Sequence, residues 1–181
     1  MTTTKQERII ETLHTKATID PAEEVAFRVK FLKDYLTHSR MHGFVLGISG
    51  GQDSSLAGRL CQIAVEELRE QTSEDYVFIA LRLPYGMQQD EEDAQRALQF
   101  IAPDKTYTVN IQPAVDSAVA SFEEATGLIM TDYNKGNQKA QERMTVNYRF
   151  AHQLNVLVVG TDHAAEAVSG FFTKYDDGAW T

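Results

Sequence analysis

The sequence has little of what marks the more specialised classes of protein. A single cysteine, Cys61, stands among 181 residues, which excludes an internal disulfide. No apolar run approaches the length of a membrane-spanning helix, and the N-terminus is polar and charged, without the apolar segment of a signal peptide. These absences predict a cytoplasmic protein. Cys61 lies in an apolar helical pattern, so we interpret it as a packed core thiol in preference to a nucleophile.

Positive charge is also scarce. The chain carries 17 lysines and arginines against 26 aspartates and glutamates, which gives a formal net charge of −9. This balance argues against a nucleic-acid partner bound through a broad basic face. It is compatible with a small anionic ligand held by a local loop.

The two commonest nucleotide-binding fingerprints are missing as well. The P-loop pattern G-x-x-x-x-G-K-[ST] needs a Gly-Lys dipeptide, and none occurs in the chain. The dinucleotide pattern G-x-G-x-x-G does not occur either. A nucleotide site in this chain therefore needs a different kind of loop.

Short apolar runs alternate with helical patterns over a length that suits one domain. The alternation predicts an α/β fold, with a Rossmann-like, doubly wound parallel sheet flanked by helices and joined by right-handed crossovers. We expect a single domain over 1–181, with N-terminal helices in 5–42 and a nucleotide-binding core in 43–181. A strand order of 3-2-1-4 would make strands one and four neighbours at a topological switch point, where ligands bind. The predicted strands are 44–48, 77–81, 107–111 and 156–159.

Helix boundaries follow from capping residues and glycines. Asp20 at the N-cap and Pro21 after it predict the start of a long helix, and Gly43 is expected to end it. Residues 128–138 are polar and predict an irregular segment. A further helix is expected from about 138 to 153.

A glycine- and serine-rich stretch follows the first predicted strand and precedes a helical pattern. Its two adjacent glycines allow close backbone approach and positive φ, and the free N–H groups of a helix start favour phosphate. The simpler alternative is an ordinary glycine-rich turn from strand to helix. The candidate phosphate-binding residues of this stretch are Gly47, Ile48, Ser49, Gly50, Gly51, Gln52, Asp53 and Ser54.

Asp53 is the acidic member of this loop. A carboxylate beside phosphate repels it unless a cation lies between them, so Asp53 suggests Mg²⁺, which prefers oxygen ligands. A second loop, 160–163, follows the fourth strand, and Glu166 could share the metal with Asp53. The alternative is a helix N-cap with a charged first turn. Thr161 offers a hydroxyl, and His163 could orient a substrate or transfer a proton, with a purely structural histidine as the alternative.

Three further segments carry candidate site residues. Arg82, with Gln88 nearby, ends the second strand and suits phosphate or ribose, and the alternative is a surface ion pair. Lys174 lies in an aromatic-flanked segment that looks like a loop able to close over a site. The polar stretch 134–144 could hold a second anionic substrate, although a solvated turn is the interpretation that this segment alone favours.

Taken together, these motifs resemble the ammonia-dependent NAD synthetases of the ATP-pyrophosphatase, or PP-loop, superfamily. The strings that carry the resemblance are GFVLGISGGQDSSLAGRL, RLPYGMQQDEEDAQ, NKGNQKAQERM and VVGTDHAAEAVSGFFTKY. The resemblance implies a fold of the adenine-nucleotide alpha-hydrolase type and a homodimer. It also implies amidation of deamido-NAD by ATP and ammonia through a deamido-NAD adenylate, with release of AMP and pyrophosphate.

The resemblance further implies roles for individual residues. Pyrophosphate would be held by the loop Ser49–Ser54. ATP would be contacted by residues 47–54 together with Arg82, Gln88 and Thr161. Mg²⁺ would be bound by Asp53 and Glu166. Deamido-NAD would be held by Asn134, Gln141, Arg143 and Lys174. The candidate catalytic residues are Asp53, Asp162, His163 and Lys174.

The chain departs from the family pattern at three places. Gln141 stands where the family has an arginine, so it can donate a hydrogen bond but supplies no charge. The stretch 176–181 lacks an aspartate that the family has there. The family continues past the equivalent of Thr181, so we expect a truncated version of the enzyme. The alternatives are a nucleotide-binding fragment without turnover and another PP-loop ATP pyrophosphatase, such as a tRNA-modifying ligase or the synthetase subunit of an amidotransferase.

Overall fold

Helices and strands alternate along most of the chain. The computed structural model describes residues 4–13, 15–16, 18–86 and 91–170. Their elements follow the order α1 (Lys5–Thr12), α2 (Pro21–Ser39), β1 (Gly43–Gly47), α3 (Gln52–Thr72), β2 (Val77–Arg82), α4 (Glu91–Ile101), β3 (Lys105–Thr108), α5 (Gln112–Thr126), α6 (Asp132–Leu154), β4 (Leu157–Val158) and α7 (Ala164–Ser169).

The four strands form one parallel sheet in the order β3-β2-β1-β4. Val45 of β1 pairs with Ile79 of β2 on one side and with Val158 of β4 on the other. The chain therefore moves outward from β1 to β3 and then returns to the opposite side of β1, which makes β1 and β4 the switch point of the sheet. This confirms the predicted α/β class and the predicted strand order.

The two central strands are buried on both faces. Side chains alternate between the faces, so Phe44 and Leu46 pack with α2 and α3, whereas Val45 packs with Ile79 and Val115 on the opposite side. Burial of each such side chain contributes about 1.5–3 kcal/mol relative to exposure. These two apolar layers hold β1 and β2 side by side, which fixes the positions at which both strands end.

The single thiol belongs to the first of these layers. Cys61 has no exposed surface, and burial raises the pKa of its thiol well above the usual range. The prediction of a packed core cysteine is confirmed. Within the described residues, no helix is both long enough and apolar enough to cross a membrane.

The N-terminal cap of α2 is confirmed, and its C-terminal end is not where we expected. Asp20 Oδ1 accepts hydrogen bonds from the backbone N–H groups of Ala22 and Glu23, at 2.9 and 3.1 Å. The helix ends at Ser39, and Arg40 adopts a left-handed conformation with φ of 58°. Gly43 is instead the first residue of β1, where an added Cβ would lie 1.9 Å from the carbonyl oxygen of Val77. Gly43 is needed for close strand approach.

The prediction of an irregular segment over 128–138 is wrong for most of its length. Helix α6 begins at Asp132, six residues before the expected start. Thr131 caps it, because its hydroxyl accepts a hydrogen bond from the Asn134 backbone N–H at 3.3 Å. A glycine inside a helix costs about 1 kcal/mol relative to alanine, and the cap and the packing of α6 outweigh that cost at Gly136.

The outer strands are shorter or displaced relative to the prediction. Strand β3 covers Lys105–Thr108. Beyond it, the Val109 N–H donates to Arg82 at the end of β2, and the Ile111 N–H donates to Pro84 after it. Strand β4 covers two residues, which are half-buried and not fully buried as expected. These differences arise because both strands lie at the edges of the sheet, where, among the described residues, each has a neighbouring strand on one side only.

Candidate nucleotide site

The turn after β1 is the centre of the candidate site. Ile48 extends the ladder by donating its N–H to the carbonyl oxygen of Leu81 at 2.8 Å. The chain then turns through two glycines, and α3 begins at Gln52 with Gly51 as an N-cap that makes no side-chain hydrogen bond. A helix N-terminus without a side-chain cap leaves backbone N–H groups available to an anion.

Serine hydroxyls hold this turn in shape. The Oγ of Ser49 accepts the Gly51 N–H at 3.2 Å and lies 3.1 Å from the Oγ of Ser54. Ser55 donates its hydroxyl to the carbonyl oxygen of Gly51 at 2.6 Å. The loop is therefore ordered by its own side chains before any ligand binds, which reduces the entropy lost on binding.

Gly50 packs the turn against the first turn of α4. Its φ is +94°, a conformation that side chains disfavour. A Cβ at this position would lie 2.8 Å from the backbone nitrogen of Ala94 and 3.0 Å from the carbonyl carbon of Asp93. Only glycine fits here without displacing α4.

A cavity of about 360 Å³ opens beside this turn. The ends of β1 and β2, the start of α3, one face of α6 and the loop after β4 contribute to its wall. The lining residues are Leu46, Gly47, Ile48, Ser49, Gly51, Asp53, Ser54, Arg82, Leu83, Ala140, Arg143, Met144, Asn147 and Thr161.

The cavity brings together most of the residues predicted to bind ATP. Gly50 and Gln52 belong to the same turn but do not line the cavity. Gln88 lies outside the described residues, as does Lys174. The predicted ATP-binding residues in the wall are Gly47, Ile48, Ser49, Gly51, Asp53, Ser54, Arg82 and Thr161.

Arg82 is buried in this wall, and the alternative of a surface ion pair is wrong. Only 3% of Arg82 is exposed. Its Nη1 donates to the carbonyl oxygen of Ile48 at 2.6 Å, and its Nη2 donates to Glu91 Oε2 at 2.9 Å. Among the described residues, its Nε–H has no hydrogen-bond partner. A buried guanidinium with an unused donor in a cavity wall is suited to bind an anion.

Helix α6 supplies a second cationic group, the predicted site residue Arg143, and with it three wall residues that the sequence interpretation missed: Ala140, Met144 and Asn147. Arg143 donates its Nε–H to the carbonyl oxygen of Leu83 at 3.1 Å, which places its guanidinium at the end of β2. Asn147 is buried and donates to the carbonyl oxygen of Arg143 at 3.1 Å. The spacing of Ala140, Arg143, Met144 and Asn147 along one helical face could have revealed this wall.

Two other residues predicted to hold deamido-NAD lie on α6 but not in the cavity wall, and the fourth, Lys174, lies outside the described residues. Asn134 is exposed in the first turn of the helix, and Gln141 is half-buried. Because neither residue lines the cavity, their assignment stays a prediction.

The basic segment predicted as a solvated turn belongs to the first turns of α6, and two of its lysines pack on an aromatic ring. Lys139 lies over the ring of Tyr85, 4.1 Å from its centre, and Lys135 lies 5.4 Å from it. The Tyr85 hydroxyl donates to Asp116. This hydrogen bond, together with the positive charge of the nearby Lys135, holds the pKa of the Asp116 carboxyl below its usual value. The segment after β2 is thereby attached to α5 and α6.

The loop after β4 meets the turn after β1. His163 Nε2 lies 3.7 Å from Asp53 Oδ1 and 4.0 Å from Glu166 Oε2. Glu166 also accepts the backbone N–H of His163 at 3.3 Å. The N-cap of α7 is His163, and not Thr161 or Asp162 as the alternative interpretation had it. The structure therefore places two carboxylates and an imidazole at the switch point.

This arrangement fits the requirements of Mg²⁺ in part. Within the described residues, no group of three or more histidines, cysteines, aspartates and glutamates has the geometry to hold a metal ion alone. Magnesium usually keeps several waters and uses one or two carboxylates together with substrate phosphates. Asp53 lines the cavity, and the imidazole of His163 lies near the carboxylates of both Asp53 and Glu166. This donor set suits a metal whose coordination is completed by phosphate oxygens.

Comparison with known proteins identifies the family. The family model named NAD synthase matches residues 24–181. This chain belongs to the NAD synthase family. The family assignment agrees with the resemblance carried by the four sequence strings.

Individual relatives give the same result. The chain is 60% identical over 174 residues to the NH(3)-dependent NAD(+) synthetase of an Exiguobacterium strain, an alignment that covers 96% of this chain and 64% of that protein. Among solved structures it is similar to the NAD+ synthetase of Burkholderia pseudomallei, with a TM-score of 0.87 and 46% identity over 97% of this chain and 65% of that one.

A second solved structure carries a different name. It is described as an NMN synthetase from Francisella tularensis, with a TM-score of 0.74 and 34% identity over 90% of this chain and 63% of that one. The chain thus spans less than two thirds of the length of each of these three relatives. Its family and fold are established by these comparisons.

Proposed function

We propose that this chain takes part in the ATP-dependent amidation of deamido-NAD to NAD with ammonia, and that its cavity binds the ATP. The observation that carries the proposal is the shared wall. The turn after β1, Arg82 of β2 and Thr161 after β4 line one cavity at the switch point of the sheet. Relatives named NH(3)-dependent NAD(+) synthetase at 60% identity support this substrate class.

The proposed reaction has two steps. A carboxylate oxygen of deamido-NAD attacks the α-phosphorus of ATP, the bond to the bridging oxygen breaks, and pyrophosphate leaves. The nitrogen of ammonia then attacks the acyl carbon, a C–N bond forms, and AMP leaves with the C–O electron pair while the nitrogen loses a proton. Positioning and charge stabilisation are the main requirements of both steps.

Residues of the cavity would supply the charge stabilisation that the first step requires. The backbone N–H groups at the start of α3 and the hydroxyls of Ser49 and Ser54 would bind the departing pyrophosphate. Arg82 would stabilise negative charge on the phosphate chain from its buried position. Asp162, His163 and Lys174 stay candidate catalytic residues, and His163 would orient the two carboxylates that it contacts.

Asp53 and Glu166 are the residues that would hold Mg²⁺. The chemistry that the ion supplies in such a site is neutralisation of phosphate charge. An Asp53 carboxylate without a cation would repel ATP, so the proposal requires a divalent ion for tight binding.

We also propose a homodimer in the cytoplasm. Phe27, Phe31 and Tyr35 follow one another at helical spacing on α2 and are 67%, 58% and 51% exposed. Neighbouring exposed aromatic residues of this kind are typical of a protein interface. Sedimentation analysis should give twice the chain mass, and a single-chain mass at high concentration would contradict the dimer.

The function is tested by incubating the chain with Mg-ATP, deamido-NAD and ammonium and measuring AMP, pyrophosphate and NAD. We expect all three products in equal amounts. An Asp53→Ala variant should lose pyrophosphate release, whereas Glu70→Ala, the same loss of charge at the exposed far end of α3, should retain it. Nicotinate mononucleotide should be assayed in parallel as a second substrate, because one structural relative is named an NMN synthetase.

The full-length Exiguobacterium relative serves as the reference enzyme. Turnover by the relative alone would favour a nucleotide-binding fragment, the alternative function. Lack of AMP from both proteins would contradict the synthetase proposal.

A further inference from the structure

Arg82 is held from two sides in the cavity wall. Its side chain is 4% exposed, and its five N–H donors include two that are occupied, by Ile48 and by Glu91. Glu91 is the one carboxylate paired with this guanidinium in the part of the chain that the structure describes. The two bonds attach to different nitrogens, so together they fix the plane of the guanidinium.

Glu91 is itself held in place. It is the first residue of α4, and Gln95 donates to its other carboxylate oxygen at 2.7 Å. The hydrogen bond from Gln95 and the pairing with Arg82 keep the pKa of the Glu91 carboxyl below its usual value, so it remains ionised at neutral pH. The Glu91 side chain is 55% exposed, in contrast to that of its partner.

The first turn of α4 is fixed against the turn after β1 by a separate contact. Gly50 lies so close to Asp93 and Ala94 that no side chain would fit between them. The contacts form a closed circuit from Gly50 to α4, through Glu91 to Arg82, and back to Ile48 beside the turn. A shift of α4 would therefore move the Arg82 guanidinium relative to the turn after β1.

We infer that Glu91 is a positioning residue, which holds the Arg82 guanidinium so that its remaining N–H groups bind the phosphate chain of ATP. The inference rests on the proposed function, because it takes ATP as the ligand of the cavity. Arginine is flexible and its binding to phosphate depends on the orientation of its planar fork. A fixed plane removes the loss of side-chain freedom that would otherwise accompany phosphate binding.

The direction in which Glu91→Gln changes the affinity for ATP distinguishes a positioning role from competition between Glu91 and phosphate. If Glu91 only occupied the place of a phosphate, its neutralisation would free Arg82 and strengthen ATP binding. A positioning role gives the reverse, because Glu91→Gln leaves the guanidinium without its charged anchor. The effect should depend on phosphate, since base and ribose do not need Arg82.

The test measures equilibrium binding of Mg-ATP and of adenosine to the full chain, the latter by competition with a fluorescent ATP analogue. Glu91→Gln should raise the Kd for ATP about fivefold and leave that for adenosine unchanged, a coupling typical of residues in one ion-pair network. Glu92→Gln is the matched control, because Glu92 is the next residue of α4, its side chain is 89% exposed, and it pairs with Arg96 instead. In an Arg82→Lys background, the Glu91→Gln effect should fall below about twofold.

Three results would overturn the inference alone. Tighter ATP binding by Glu91→Gln would show a competing anion, and equal loss for ATP and adenosine would show general damage to the site. An unchanged Kd for ATP would remove Glu91 from the site while leaving the proposed function intact. Failure of the unaltered chain to bind ATP would instead overturn the proposed function, and this inference with it.

Discussion

At the scale of single residues, Gly50 shows how backbone geometry builds the site. It combines a φ of +94° with contact to the backbone of Ala94, so it is constrained both by conformation and by space. Strain at one such position costs about 1–3 kcal/mol. Any larger residue would move either the turn that carries Ser49 or the helix that carries Glu91.

We therefore predict that Gly50→Ala destabilises the protein by at least about 2 kcal/mol and weakens ATP binding. Gly136→Ala is the control, because Gly136 lies inside α6 and, apart from the neighbouring backbone of that helix, no atom of the described residues lies within 4 Å of an added Cβ. That substitution should stabilise the helix by up to about 1 kcal/mol. Urea unfolding and calorimetric titration measure both effects, and similar unfolding free energies for the two variants would contradict the account of Gly50.

At the scale of elements, α6 is the part of the fold that differs most from expectation. It runs over Asp132–Leu154 and presents one face to the cavity, from Ala140 to Asn147. Its first two turns contain polar residues and Gly136, a composition that resembles a loop. The start of this helix is decided by the Thr131 cap and by contacts such as that between Lys139 and Tyr85.

Removal of this cap should shorten α6 from its N-terminus. Thr131→Ala is expected to cost about 1 kcal/mol of stability and to speed amide hydrogen exchange over residues 132–136, since an N–H of the first turn loses its acceptor. Thr131→Ser keeps the hydroxyl and should behave as the unaltered chain does. Equal exchange rates in the alanine variant and the unaltered chain would show that packing alone sets the start of α6.

The elements also show what could be predicted from sequence. Alternating apolar runs were enough to predict a parallel sheet with right-handed crossovers, whereas the order β3-β2-β1-β4 was assumed by analogy with doubly wound folds and is the order observed. The turn at Gly47–Ser54 was visible because its residues are contiguous. The pairing of Arg82 with Glu91 and the burial of Asn147 were not, since they depend on how separate elements pack. The ends of the outer strands likewise depend on which neighbours they have.

At the scale of the whole molecule, the site lies at the switch point between β1 and β4, where the order of the strands reverses. Because β1 and β4 are adjacent and parallel, the loops that leave their carboxyl ends meet, and His163 comes within 3.7 Å of Asp53. Strand β2 on the other side of β1 brings Arg82 to the same cavity. The cavity is thus a consequence of the sheet order, and the residues of three loops and α6 determine what it binds.

The most direct measurement of the central claim is calorimetric titration of the unaltered 181-residue chain with ATP, with and without Mg²⁺. We expect one ATP per chain, with binding that is at least about tenfold weaker without Mg²⁺, because the Asp53 carboxylate then faces the phosphates without a cation. Absence of ATP binding in the presence of Mg²⁺, or binding of equal strength after Asp53→Ala, would contradict that claim.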